Sequence, residues 1–290
     1  MRNVQKIKIW SCLVALYFIW GSTFIGMKFA IESYPPFQMA AMRFLLAGGL
    51  LYAVMRWRGA PHPSNEQWLA ATAVGTLLLA AGNGGVAYAQ QWIASGTAAL
   101  AIATVPLWTA IFARLWGHRP TRREWVGIAL GMIGIALLNL GNNMQVSPLG
   151  AVIILLAAVC WAFGSVWSKH LPMPTGAMAG AAQMLGGGAV LVVASVIHGD
   201  ALPTALPSTR AALAMAFLVI FGSFIAYSAY LYLLKTVRPA LATSYAFVNP
   251  LVAMLLGTWL AGESVGFYEG LALVVVLAGV LLVLSASNEV

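Results

Sequence analysis

Trp20-Gly21-Ser22-Thr23-Phe24, inside the first apolar run, is echoed by Trp161-Ala162-Phe163-Gly164-Ser165, inside the sixth. Laying Trp20 on Trp161 is a shift of 141 positions (161 − 20), and the same shift lays Lys28 on Lys169. Further on, Thr104-Val105-Pro106-Leu107 is matched by Val248-Asn249-Pro250-Leu251 at a shift of 144 (250 − 106). Two echoes at nearly one shift, in a chain of 290 residues, read as one unit used twice. The units fall at residues 1–141 and 148–290.

Composition says what the unit is made of. Hydrophobic residues are 61% of the chain, charged residues 8%, and the mean hydropathy is +0.88. Ordinary soluble domains carry about 25% charge, so the chain reads as an integral membrane protein. The net charge of +8 then belongs to loops facing anionic lipid and cytoplasm, and no nucleic-acid partner is expected. Cys12 and Cys160 both sit in apolar runs and do not align in the repeat; neither a disulfide nor a metal site is expected. Arg2, Lys6 and Lys8 ahead of an apolar run resemble a signal peptide. The run is too long for one and lacks a small-residue cleavage site, so it reads as a retained first helix.

Ten membrane helices fit, at about 9–31, 36–56, 67–91, 96–116, 122–141, 148–169, 176–198, 209–234, 239–260 and 266–286. The connections are short and carry turn residues, such as Pro35-Pro36, Pro61-His62-Pro63, Asn142-Asn143 and Pro172-Met173-Pro174. Basic residues alternate from side to side. Arg2, Lys6, Lys8, Arg56, Arg58, Arg114, Arg119, Arg122, Arg123, Lys169, Lys235 and Arg238 fall on one side, and Arg210 alone falls in a loop on the other. By the positive-inside rule both termini are cytoplasmic. Five helices per unit is an odd number, so the second unit enters the membrane from the opposite side. Inverted repeats of this kind place a substrate site near the midplane at their interface and give alternating access to it.

Pro106 and Pro250 read as the two prolines in helix middles, each leaving a carbonyl four residues back (Ile102, Ala246) without its helical partner. They are candidate hinges, or packing kinks. Gly127-x-x-x-Gly131, Gly131-x-x-Gly134 and Gly266-x-x-x-Gly270 read as close helix packing. The clusters Gly82, Gly84, Gly85 and Gly186-Gly187-Gly188 read as softened helix or as close packing.

The chain resembles the ten-helix branch of the drug/metabolite transporter superfamily, the EamA-type proteins. The resemblance covers the whole chain. It is carried by Ile19-Trp20-Gly21-Ser22-Thr23, Arg43-Phe44, Gly96-Thr97-Ala98-Ala99 leading to Pro106, Trp161-Ala162, Pro239-Ala240-Leu241-Ala242 leading to Asn249-Pro250, and Gly262-Glu263. It implies an all-helical basket of helices 1–4 and 6–9 around a central cavity, with helices 5 and 10 outside. It also implies a multi-pass exporter of the bacterial inner membrane, acting on amino acids or other metabolites. The first unit departs from the pattern, with Gly117-His118 where the second has Gly262-Glu263.

A polar or aromatic group deep in a membrane helix is costly unless it faces a cavity or a partner. Most tryptophans sit near helix ends, where the membrane interface explains them; Trp20, Trp108 and Trp161 do not. The polar candidates are Thr23, Asn83, Tyr88 and Gln90, then Ser165, Gln183, Ser223, Tyr227, Tyr230, Ser244, Tyr245 and Asn249. Their hydroxyls and amides suit the ammonium and carboxylate of an amino acid, or else glue helices together. Arg43 is a charge within a helix, roughly 10 Å from its start at 1.5 Å per residue; it either anchors a substrate carboxylate or snorkels to the surface. The expected binding set is Trp20, Thr23, Arg43, Asn83, Tyr88, Trp108, Trp161, Ser165, Tyr227, Ser244, Tyr245 and Asn249. No acid or histidine lies in a helix middle, so uniport is expected rather than proton exchange. No phosphate-binding glycine loop is present and no cofactor is expected. The expected partners are a small-molecule substrate and membrane lipid, and the expected state is a monomer. Lipophilic cations, with or without proton coupling, are the alternative cargo, since Trp and Tyr suit cation–π contacts. An enzyme acting on lipid would need a catalytic constellation that the helix middles lack. A receptor or scaffold would have no use for matched halves.

Overall fold

The computed structural model describes residues 2–93, 95–140, 147–201, 206–261 and 267–287, and every regular element among them is helical. Asn142-Asn143, Gly262-Glu263 and Gly266 lie outside the described residues. The helices are α1 (residues 2–30), α2 (Pro36–Trp57), α3 (residues 65–89), α4 (Ser95–Ile102), α5 (Val105–Ala113), α6 (Arg122–Leu140), α7 (Pro148–Trp167), α8 (Ala177–His198), α9 (residues 209–236), α10 (Pro239–Ala242), α11 (Tyr245–Ala261) and α12 (Phe267–Ser287). Among the described residues six segments are long and apolar enough to cross a membrane: Val4–Ala30, Pro36–Trp57, Asn65–Ala89, Pro148–His170, Ala177–His198 and Thr209–Thr236.

Local signals explain several helix starts. Ser64 accepts from the backbone N of Gln67 at 3.3 Å while Gln67 Oε1 accepts from Ser64 N at 3.0 Å, a reciprocal cap that begins α3 two residues before the expected start. Thr121 and Glu124 do the same at the head of α6, with Thr121 N donating to Glu124 at 2.6 Å. Glu124 is buried and also accepts from Arg238 Nη2 at 2.9 Å, which ties α6 to the residue before α10.

The distribution of polarity is inside out. On α7, Leu149, Val152, Leu155 and Leu156 are exposed at helical spacing, a face fit for lipid rather than water. Arg43, Gln183, Ser165, Ser223 and Asn249 are buried. Helices at equivalent places in the two halves pack against each other. On α2 and α8, Gly48 meets Met184 and Leu185 while Leu45 meets Gly188, so the two run antiparallel. On α6 and α12, Gly127 meets Val283 while Gly131 meets Gly279, again antiparallel. Gly127 and Gly131 thus pack as expected of them, but against Gly279, which no motif had marked.

The structure corrects the reading of the interrupted helices. The segment expected at 96–116 is two helices, α4 and α5, broken at 103–104, and the one expected at 239–260 is α10 and α11, broken at 243–244. Pro106 lies in the first turn of α5, where a missing N–H is no loss. Pro250 lies inside α11. The prolines are therefore not equivalent, but the breaks are, at a shift of 140 (243 − 103). Each is closed by the same bond: Thr104 Oγ1 donates to Ala101 O at 2.8 Å, and Ser244 Oγ donates to Leu241 O at 2.9 Å. A second match is in helix winding. α3 widens into a π-helical stretch over Thr76–Gly84, and α9 does so over Leu218–Ile225. The glycine cluster of α8 behaves otherwise. That helix is regular, and its glycines admit α2 and α3 at close range.

Candidate functional site

The centre of the molecule is built on the two echoed tryptophans. Their rings meet edge to face with centroids 5.5 Å apart. Each indole N–H is satisfied across the structure: Trp20 Nε1 donates to Gly222 O at 3.0 Å, and Trp161 Nε1 donates to the Tyr230 hydroxyl at 3.1 Å. Each tryptophan also meets a glycine of a π-helical stretch, in two different ways. Trp20 donates its N–H to the carbonyl oxygen of Gly222 on α9, and Trp161 Cε3 would lie 2.9 Å from a Cβ added at Gly82 on α3. The glycines are 140 positions apart and the tryptophans 141. At Gly82 the irregular winding sits where a flat ring approaches the backbone, and the absence of a side chain is what lets it; at Gly222 the missing side chain makes room for Arg43 and Thr23 instead.

Beside this pair is an open cavity, whose empty space together with the solvent at its mouth is about 450 Å³. Trp20, Thr23, Asn83, Trp161, Tyr245 and Asn249 line it, together with Phe24, Met27, Gly82, Val86, Ile102 and Ala157. No carboxylate is among the lining residues. Thr23 Oγ1 is already engaged with Trp20 O at 2.7 Å. Asn249 is buried, and its Oδ1 has no partner among the described residues. An orphaned buried acceptor beside a cavity is unusual, because leaving one unpaired costs about 1–3 kcal/mol.

The other six of the expected binding set stand outside the lining. Ser165 donates to Trp161 O at 2.6 Å and shares a 2.5 Å bond with Tyr230, so it holds the aromatic centre together. Tyr227 donates to Gln183 Oε1, joining α9 to α8. Ser244 bonds Tyr17 as well as the broken turn. Trp108 stacks on Phe112 at 6.5 Å, with its N–H unpartnered among the described residues. Tyr88 stacks on Phe37 at 4.8 Å and bonds His198, away from the cavity. Arg43 lies one layer behind the wall. It is 1% exposed, its Nε donates to Ser223 Oγ at 2.7 Å and its Nη1 to Asn83 Oδ1 at 3.1 Å. It does not snorkel. Lys28 does turn aside, donating to Gln90 O at 3.2 Å.

Tyr230 is the hub that the narrowed set omits. Its ring centroid lies 5.1 Å from Trp20, 5.5 Å from Trp161 and 5.6 Å from Tyr245. Gly82 and Gly222 were also discoverable, since their 140-residue spacing repeats that of the other echoes. Among the described residues no cluster of His, Cys, Asp or Glu could hold a metal ion.

The EamA-like transporter family model matches the chain twice, over residues 8–140 and 148–285. The inner membrane transporter YedA of Escherichia coli is 50% identical over 284 residues, 98% of this chain and 92% of that one. A chloroplastic WAT1-related protein of Arabidopsis thaliana is 28% identical, over 94% of this chain and 69% of that one. A crystal structure superimposes with a TM-score of 0.79 and covers 96% of both chains at 18% identity, a likeness of fold alone.

Proposed function

The chain belongs to the EamA-like transporter family, and from that premise we propose a carrier that exports small metabolites, neutral and aromatic amino acids in particular, across a bacterial inner membrane. In this reading the two units, 1–141 and 148–290, are inverted halves of one transport domain with both termini cytoplasmic. α4 with α5, and α10 with α11, each make one interrupted crossing, which brings the crossings to ten. The two halves rock about the Trp20–Trp161 contact, with Pro106, Pro250 and the breaks beside them as hinges, and expose the cavity to the two sides in turn.

The observation that carries the reading is the cavity itself. Its walls come from both halves, Trp20, Thr23 and Asn83 from one and Trp161, Tyr245 and Asn249 from the other. Aromatic rings supply apolar area for a side chain, and the amides supply hydrogen bonds for its polar end. With no carboxylate in the lining, uniport down the substrate's own gradient needs no further group. The lipophilic-cation alternative has one observation in its favour, the ring cluster of Trp20, Trp161, Tyr230 and Tyr245.

Counterflow of labelled threonine, methionine or phenylalanine in proteoliposomes, with no pH gradient, tests the reading. Saturable exchange, weakened by Trp161→Ala, is expected. Exchange of tetraphenylphosphonium in place of every amino acid would move the assignment to cations. A flux scaling with an imposed pH gradient would remove uniport and make Glu263 the suspect.

A further inference from the structure

Arg43 is a fully buried cation, and no described residue gives it a carboxylate. Removing a charge from water without a counter-ion is among the costliest arrangements a protein can hold, more so within a membrane. Its geometry shows what the charge is doing. A guanidinium has only donors, so the end of the Asn83 side chain that faces Arg43 is the amide oxygen, as the 3.1 Å bond records. The amide N–H₂ is then the end left over. Among the described residues none accepts a hydrogen bond from it, and Asn83 is one of the residues that line the cavity. Ser223 holds the guanidinium from the other side through Nε, and Gly222 leaves room for Nη2, which would be 2.9 Å from a Cβ there. Asn249 lines the same cavity with the opposite chemistry, a buried oxygen acceptor that lacks a donor.

We infer that Arg43 is a positioning residue for specificity. It locks the Asn83 amide so that two N–H donors, polarised by the charge behind them, face the cavity and take a substrate carboxylate, while Asn249 Oδ1 takes the substrate ammonium. Arg43 itself does not touch the substrate. The cavity therefore has a sense: donors on the α3 wall and an acceptor on the α11 wall. A zwitterion fits both, and a cation without a carboxylate meets donors and a positive field. The inference rests on reading the cavity as an amino-acid site and names the residues that set its selectivity.

The test is competition against labelled phenylalanine counterflow in proteoliposomes of the full chain, with unlabelled phenylalanine and phenethylamine, which lacks the carboxylate. A hydrogen bond to a charged group is worth a factor of about 10–100 in affinity. The parent protein should therefore favour phenylalanine by at least about tenfold. Asn83→Ala and Arg43→Met should both bring that ratio to within about threefold of one. The double variant should be no worse than either, because both act through one amide. Arg43→Lys, a donor that keeps the charge, should restore most of the ratio. Phenylpropionate, which lacks the ammonium, should gain on phenylalanine in Asn249→Ala. If Arg43→Met does not fold, Asn83→Ala reads the same ratio. Exchange in the parent with a ratio near one, or a ratio that Asn83→Ala and Arg43→Met leave unchanged while exchange capacity falls, overturns this inference and leaves the carrier standing. No exchange of phenylalanine, methionine or threonine by the parent overturns the amino-acid reading and this inference with it.

Discussion

Two glycine-to-alanine changes on facing helices should move stability in opposite directions. At Gly187 on α8 an added Cβ would lie 2.6 Å from the carbonyl oxygen of Gly75 on α3, 2.9 Å from its carbonyl carbon and 3.2 Å from its Cα. All three atoms are backbone, so no rotamer change relieves the contact. A carbon and an oxygen rest at about 3.3 Å or more, so the helices must part by roughly 0.7 Å. Overpacking of this kind costs about 1–3 kcal/mol, against a gain of about 0.5–1 kcal/mol from placing Ala rather than Gly in a helix. The net is a loss of roughly 1–2 kcal/mol. Gly49 on α2 has nothing within 4 Å of its added Cβ, so only the helix gain applies. The two variants should differ by roughly 2–3 kcal/mol. At about 2–4 °C per kcal/mol that is a gap of several degrees in Tm, followed by tryptophan fluorescence in a single detergent. Exchange should fall in Gly187→Ala below its parent even at temperatures where the variant is folded, because α3 also carries Gly82 and Asn83 of the cavity wall. Gly187→Ala melting at or above the parent would refute the close approach of α3 and α8 on which the wall's position rests.

Glu124→Gln should destabilise the protein by about 3 kcal/mol, since it leaves Arg238 without its buried carboxylate and weakens the cap of α6. Thermal melts of Glu124→Gln, Arg238→Gln and the double variant should show strong coupling, and simple additivity would dissolve the pair. His118, in the turn between α5 and α6, has its pKa pushed down, first by burial and then by the positive charges of Arg238 and Lys169, with Glu124 opposing. Its neutral form is the one the fold favours. The contribution is present above the ordinary histidine value of 6.5 and is lost as the pH falls below it. Apparent Tm measured from pH 8 to 5 should decline through that window, and His118→Asn should flatten the decline; an unchanged slope would remove His118 as its source.

How far the sequence could be read depended on whether a signal was periodic or spatial. The spacing of Trp20 and Trp161 is a one-dimensional fact, and the two rings meet. The apolar runs that mark membrane helices are equally local, because a helix must cover the hydrocarbon with its own residues. The interruptions are expected at Pro106 and Pro250, but the breaks lie at 103–104 and 243–244, two to three residues before the first proline and six to seven before the second. Proline is a visible signal, whereas a helix stopped by a Thr or Ser hydroxyl turning onto a carbonyl looks like any other Thr or Ser. The depth of Tyr88 and Tyr227 was legible but not their facing. A tyrosine in a membrane helix faces a cavity, a neighbour or the far end, and only the packing of α8 on α3 and α9 separates these cases. Gly279 was missed because it forms no motif with another glycine and works against Gly127 and Gly131 of another helix.

The echoed halves give a symmetric frame, and the chemistry departs from it at one layer. The π-helical stretch of α1, Leu16–Trp20, has no counterpart in the regular α7, but the breaks, the π-helical stretches of α3 and α9 and the pairing of each tryptophan with a glycine recur at shifts of 140 to 142. They are backbone and packing features, which the same local sequence builds wherever it is placed. Arg43 and Gln183 are equivalent at a shift of 140, yet they are unlike. Gln183 is buried and accepts from Tyr227, a neutral bond that closes the space between α8 and α9. Arg43, at the same place in α2, brings a buried charge that donates to Asn83 Oδ1. Had both positions been arginine, two like charges would lie buried in one small core with no acid to offset them, which the low dielectric there forbids. Had both been glutamine, no group in either half would fix the direction of an amide at the cavity. On the proposed reading, one charge in a doubled frame is what would give the cavity one donor wall and one acceptor wall. A carrier whose two faces of access are alike in form would, on that same reading, hold an unsymmetrical substrate in a single orientation.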